Sequence, residues 1–409
     1  MGFCCYVAVV ILFPLFLSIA FWNITRVEIE AEIPYFNDKD FFFVSLESST
    51  NRSSQFLLNL ATAKSSFPQF SQRVRDGSNL EYDFYRDTCP EAEAIVRSAI
   101  ARVYFDHREV APALLRLFFH DCFIQGCDAS VLLDDNDGDK NRSSEKQAIP
   151  NQTLRGFDKI DMIKEEVEQT CPGVVSCADI LALATRDAVL LAGGPFYPVL
   201  TGRRDSHQSF FEEATNQIPR PDSNVTHTLH LFSLRGFNER ETVSLLGGHN
   251  IGKIGCDFIQ TRLYNFEGTG QPDPSIPPDF LLQMKLNCPE NKNTSTNDFS
   301  EFIVSKRVSS SHSDFGMSYM QALSSSVSSG AAFDTHYYKS LLRGKGLLFA
   351  DQQLMAEERT ARLVSAYASD DGSTFRMDFA RVMLKMSNLD VLTGLEGQVR
   401  LNCSLPVSS

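Results

Sequence analysis

The sequence predicts a mainly α-helical protein, on three observations. Apolar residues recur at helical spacing in successive segments from about Leu80 onward. Helix punctuation accompanies them: Pro112 suits a first turn, and Asn238 is followed three residues later by Glu241, a cap with its reciprocal acid. Strand-type alternation is scarce.

Along the chain, Tyr6 to Ile19 is an almost unbroken apolar run, and Ser18-Ile19-Ala20 places small residues at a cleavage point. Residues 1–20 therefore read as a secretory signal, with an uncleaved anchor through Trp22 as the alternative. Residues 21–79 show no clear period and are expected to form an N-terminal extension. Pro90-Glu91 then opens a helix carrying Ala94, Ile95, Ala99, Ile100 and Val103. The next, behind Pro112, carries Leu114, Leu115, Leu117 and Phe118. Further helices are predicted over 158–168 and 178–191, from Asn238 into Val243, Leu245 and Leu246, and over 360–368 and 375–386. Residues 291–330, with eleven serines from Ser305 to Ser329, are expected to be a mobile surface insertion in a domain of residues 80–409.

Composition narrows the partners. With 43% hydrophobic residues the chain can bury a sizeable core. Its net charge of -13 argues against nucleic acid, anionic membranes or polyanionic polysaccharide as main partners. Of ten cysteines, Cys4 and Cys5 lie in the signal; the other eight, an even number in an exported chain, point to disulfides. Zinc is the competing reading, but no CxxC pair occurs. Sequons at Asn23, Asn51, Asn141, Asn151, Asn224, Asn293 and Asn402 fit a secretory route.

Two constellations carry chemistry. In "RLFFHDCFIQGCDAS", Arg116 and His120 stand i, i+4, so one helix face can aim both heads at one point. Asp121, Asp128 and Ser130, with the carbonyls of Ile124 and Gly126, form an oxygen-only donor set in the following loop, which suits calcium. In "LLGGHNIG", Gly247 and Gly248 would let a flat bulky group approach the backbone beside His249.

Together, "LRLFFHDCF", "GCDAS", "VSCADILALATRDAV", "LTGRRDS", "LLGGHNIG" and "FDTHYY", with the eight cysteines in order, resemble the class III, secretory plant haem peroxidases. The resemblance runs from Tyr82 to Cys403, about four fifths of the chain. It implies a two-lobed all-helical fold with haem b between the lobes and four disulfides, Cys89–Cys171, Cys122–Cys127, Cys177–Cys403 and Cys256–Cys288. It further implies His249 as the axial iron ligand, Asp351 as its carboxylate partner, His120 as acid–base group, Arg116 as charge stabiliser and Asn151 as the anchor of His120. Phe119 would flank the haem and Pro219 the donor site, Glu145 would tie its segment to the calcium loop, and Asp179–Arg203 would be a buried ion pair. Asn151, though a sequon, is expected to be buried and unglycosylated.

The expected protein is a monomeric, exported peroxidase of the cell exterior or wall, or of the vacuole, acting on hydrogen peroxide and small phenolic donors. The alternative is a wall glycoprotein that keeps the fold without catalysis. The sequence departs from the family at its second calcium site, whose positions fall on Asn250, Ser326, Ser329 and Asp334. With Asp334 the sole carboxylate there, a weakened or absent second calcium is expected. Tyr197 stands where the family often has Trp.

Overall fold

The computed structural model describes residues 80–135, 143–290, 316–317 and 333–407, all within the unit Arg73–Ser409. The signal, the N-terminal extension, Ser326 and Ser329 lie outside the described residues.

Helices dominate. α1 (Ala92–Asp106), α2 (Val110–Cys122), α3 (Phe157–Thr170) and α4 (Cys177–Leu191) pack into one group, with α4 against each of the others. The apolar rows explain that packing. In α1 the buried row is Ala92, Val96, Ala99, Ile100 and Val103, whereas Ala94 is exposed, so the inward face is rotated from the predicted one. In α4 every residue from Cys177 to Val189 is buried, including Asp179, Thr185, Arg186 and Asp187. It is the central helix of this group and is capped by the Ser176 hydroxyl, which accepts from Asp179 N.

After the short α5 (Phe211–Gln217) and α6 (Val225–Leu234), a second group forms around α7 (Glu239–Leu246). Asn238 and Glu241 make the reciprocal capping box that starts α7. The 3-10 turn Gly247–Asn250 follows it directly. Then come α8 (Gln260–Tyr264), α9 (Pro278–Asn287), α10 (His336–Leu342), α11 (Phe349–Gln352), α12 (Glu358–Ser369) and α13 (Ser373–Ser387). α7 packs on α12 and α13, and α10 on α12 and the Gly247–Asn250 turn.

The two groups meet where α13 touches α2 and where Arg203 bridges α4 to α13. The Arg203 guanidinium donates to Asp179 Oδ1 at 2.7 Å, and its Nε donates to Ser387 O at 3.0 Å. Both side chains are fully buried. Asp179 Oδ2 also accepts from Tyr85 Oη and from Gly202 N, each at 2.7 Å, so the buried carboxylate is amply paired.

Disulfides join Cys89 to Cys171, Cys122 to Cys127, Cys177 to Cys403 and Cys256 to Cys288. The serine-rich insertion is not all loop. Gly316–Met317 forms β2, antiparallel to β1 (Ile254–Gly255), and Met317 is fully buried. The rest of the insertion lies outside the described residues. No described helix is long and apolar enough to cross a membrane.

Candidate active site

His120 sits in the last turn of α2 and is 5% exposed. Its Nδ1 lies 2.6 Å from Asn151 Oδ1, while Asn151 Nδ2 donates to Glu145 O at 2.9 Å. The second bond fixes the amide orientation. The amide oxygen must accept, so His120 carries its proton on Nδ1 and presents a bare Nε2. Burial, reinforced by the Arg116 charge, holds the imidazole down to a pKa of about 3, against the pull of the Asn151 bond. The ring is a neutral base over the whole physiological range.

Arg116, one turn earlier, is fixed by two backbone carbonyls. Its Nη2 donates to Pro150 O at 2.8 Å, and its Nη1 donates to Thr153 O at 3.2 Å and Thr153 Oγ1 at 3.0 Å. Burial lowers its pKa to about 10, which leaves it cationic at neutral pH. The segment Pro150–Thr153 thus holds both heads of the i, i+4 pair. Phe119 tilts against Phe123 at 4.8 Å and stacks near Phe232 at 5.9 Å.

His249 lies in the 3-10 turn after α7. Its Nδ1 is 2.8 Å from Oδ1 of the fully buried Asp351, and the His249 side chain is 43% exposed. Burial works against a charged ring, but the Asp351 carboxylate outweighs it and raises the imidazole pKa. Tyr337 Oη donates to the same Asp351 oxygen at 2.9 Å. Leu115, the neighbour of Arg116 on α2, lies against Gly248, the residue before His249.

Gly247 is required by packing within the protein, because a Cβ there would come within 2.3 Å of Tyr338 Oη and 2.5 Å of the Phe375 ring. Pro219 is half-buried between α5 and α6. Its loop is tied to the Asp351 segment through Ala350 N, which donates to Pro221 O at 3.0 Å.

The stapled loop after His120 is a buried acidic cluster. Asp121 and Glu145 are fully buried and Asp128 is 3% exposed. Asp121 Oδ2 accepts from Ala129 N and Asp128 Oδ1 from Ser130 N, but Asp121 Oδ1, Ser130 Oγ and Glu145 Oε2 make no hydrogen bond. Burial pushes Asp121 well above the carboxylate range, Asp128 up to about 6 and Glu145 up to about 8. Such a cluster is costly without a cation. The loop itself is held firmly. Gly126 adopts φ 132°, and a Cβ there would strike Asp390 O at 2.3 Å. Ser206 N donates to Asp128 O at 2.8 Å, and the buried Arg400 donates to Ala129 O at 2.7 Å. Among the described residues no group of three or more His, Cys, Asp and Glu side chains gathers as metal ligands, so a cation here would also draw on hydroxyl and carbonyl oxygens.

Of the positions expected for a second calcium, Asn250 and Asp334 are among the described residues. Asn250 Nδ2 donates to Asp334 O, and Asp334 Oδ1 accepts from His336 N at 2.7 Å and meets His336 Nδ1 at 2.5 Å. An open groove lined by Leu229, His230, Arg240, Arg359 and Leu363 includes none of the predicted site residues. Its Arg240 and Arg359 are paired with Asp378, Glu239 and Glu357.

Sequence reasoning missed the anchors of Arg116, the Tyr337 bond to Asp351, and His336. Backbone carbonyls and partners in other segments leave no local pattern in the sequence.

The family described as Peroxidase matches residues 96–370. "Putative Peroxidase 48" of Arabidopsis thaliana is 49% identical over 339 residues, covering 80% of this chain and 83% of that protein. Peroxidase 25 of the same plant is 42% identical, covering 80% and 90%, and Peroxidase 71 is 40% identical, covering 82% and 92%. With two anchored imidazoles, a fixed guanidinium and relatives of this kind, the chain belongs to the class III plant peroxidases and is a peroxidase.

Proposed function

We propose that this peroxidase works with a bound haem b, reducing hydrogen peroxide by two electrons and oxidising small phenolic donors one electron at a time. The observation that carries the reading is a pair of imidazoles, each anchored at Nδ1 by a different kind of partner. A neutral amide holds His120 and a carboxylate holds His249. The first arrangement suits a proton acceptor and the second an electron-rich metal ligand. The donor set fits haem, because His249 offers Nε2 from a partly open ring whose other nitrogen is committed.

When bound, the haem supplies the iron redox chemistry and accepts electrons from the donor. The rest falls to side chains. His120 Nε2 takes a proton from one oxygen of hydrogen peroxide and returns it to the departing oxygen, which leaves as water. Arg116, locked by Pro150 and Thr153, faces the negative charge that develops as the O–O bond lengthens. Asn151 keeps His120 in the accepting tautomer. Asp351, itself held by Tyr337, keeps His249 basic and correctly turned. Phe119 bounds the cavity and Pro219 borders the approach of the donor.

One calcium ion is assigned to the loop of Asp121, Ile124, Gly126, Asp128 and Ser130, with Glu145 tying the neighbouring segment to it. Unpaired oxygens on Asp121, Ser130 and Glu145 support it. The protein is proposed to be a secreted monomer of the cell exterior or wall, or of the vacuole, carrying glycans at exposed Asn224 and Asn402. Turnover of a phenol such as guaiacol by the secreted protein, dependent on hydrogen peroxide, tests the proposal. Protein that shows no Soret band after haem reconstitution and no turnover would instead be a fold-retaining glycoprotein.

A further inference from the structure

The stapled loop and the segment after His249 solve opposite electrostatic problems. In the loop, fully buried carboxylates keep oxygens without partners. Around Asn250 the oxygens are already taken. Asn250 is 3% exposed, and its Nδ2 donates to the carbonyl of Asp334. Asp334 Oδ1 is engaged twice by His336, through the backbone N–H and through Nδ1 of a ring that is 4% exposed. The Asp334 side chain is 44% exposed, so solvent helps to satisfy the rest of its charge. Among the described residues around it, Asn250 Oδ1 alone is left buried and unpaired on the oxygen side, and Ser326 and Ser329 lie outside the described residues. The described residues thus offer one free amide oxygen toward the six to eight oxygens that calcium gathers. An N–H donor aimed at Asp334 O also places positive charge where a cation would need a lone pair.

We infer that Asn250, Asp334 and His336 form a metal-free clasp that positions His249. Asn250 is the residue immediately after His249, and Asp334 lies just before α10, whose Tyr337 holds Asp351. The clasp therefore joins the turn that carries the imidazole to the helix that fixes its carboxylate partner. It does so with hydrogen bonds, and the second calcium ion is absent from this chain. The inference rests on the haem reading only for the role of His249; the calcium count does not depend on haem.

The test measures calcium per chain in secreted wild-type protein, and in Asp128→Ala and Asn250→Ala, after gel filtration in metal-free buffer. The ferrous iron–imidazole stretching band of the haem-loaded protein is recorded alongside. One ion per wild-type chain is expected. Asp128→Ala should lose it, and Asn250→Ala should keep it while shifting the iron–imidazole band. Two tight ions in the wild type, or loss of an ion in Asn250→Ala, would overturn the clasp, as would an unshifted band in a calcium-retaining Asn250→Ala. A wild-type count of zero would remove the loop calcium and leave the clasp standing. A chain with one calcium and no haem would remove the haem reading instead. Should Asn250→Ala not be secreted, the wild-type count decides alone.

Discussion

Replacing Asn151 with alanine removes the acceptor that holds the His120 proton on Nδ1 at 2.6 Å, without touching either imidazole or the guanidinium. The Nδ1–H is then a buried donor with no partner, and the tautomer with the proton on Nε2 gains in proportion. That tautomer is unable to accept a proton from hydrogen peroxide. An unmade buried hydrogen bond costs about 1–3 kcal/mol. At about 1.4 kcal/mol per factor of ten, the second-order rate with hydrogen peroxide should fall roughly 5- to 150-fold. Stopped-flow absorbance of the haem-loaded variant reads this rate, with haem content and unfolding midpoint as controls. A variant with full haem load, a normal midpoint and a rate within about twofold of wild type would refute the reasoning, since a loss of about 1 kcal/mol already sets the lower bound near fivefold. The residue offers an independent check, because Asn151 is 2% exposed whereas Asn224 and Asn402 are exposed. Peptide mass spectrometry should find glycans at the latter two and none at Asn151.

Other expectations follow from the same geometry. His120→Ala should lower the rate with hydrogen peroxide by about 10²- to 10⁴-fold, the usual share of a positioned acid–base group, and Arg116→Leu by about 10²- to 10³-fold, both read by stopped flow. Chelation with EGTA should lower the thermal midpoint reversibly, and calcium at about a hundred times its dissociation constant should restore about 2.7 kcal/mol. Asp179→Ala strands the fully buried Arg203 guanidinium and should cost about 3–5 kcal/mol in denaturant unfolding. Tyr197→Phe removes a fully buried hydroxyl that has no hydrogen-bond partner, so the unfolding midpoint should hold or rise.

What was legible in the sequence is what local spacing encodes. The i, i+4 placement of Arg116 and His120, the Asn238–Glu241 cap and the apolar rows of α2, α12 and α13 all act within one or two turns of chain. Less legible were elements whose stability comes from distant partners. α6 carries Val225, Thr226, Thr228, His227 and His230, which weaken helical propensity, and is started by the Asn224 side chain capping His227 N. α11 is four residues long and exists to present Asp351. Lys164 belongs to a helix whose charges look solvent-facing, yet it is 1% exposed and donates to Val175 O at 2.7 Å. The same limit applied at the site. Its imidazoles and carboxylates could be assigned from motifs, whereas the carbonyls that hold Arg116 and the His336 clasp needed the fold.

The central claim is that His120 and His249 serve opposite functions around one bound haem. It is tested most directly by the visible spectrum of secreted wild-type and His120→Ala proteins before and after one equivalent of hydrogen peroxide. The account predicts a Soret band in both. It predicts a rapid spectral change with peroxide in the wild type, and one slowed by about 10²- to 10⁴-fold in the variant. A wild type with no Soret band, or two proteins that respond to peroxide at the same rate, would contradict it.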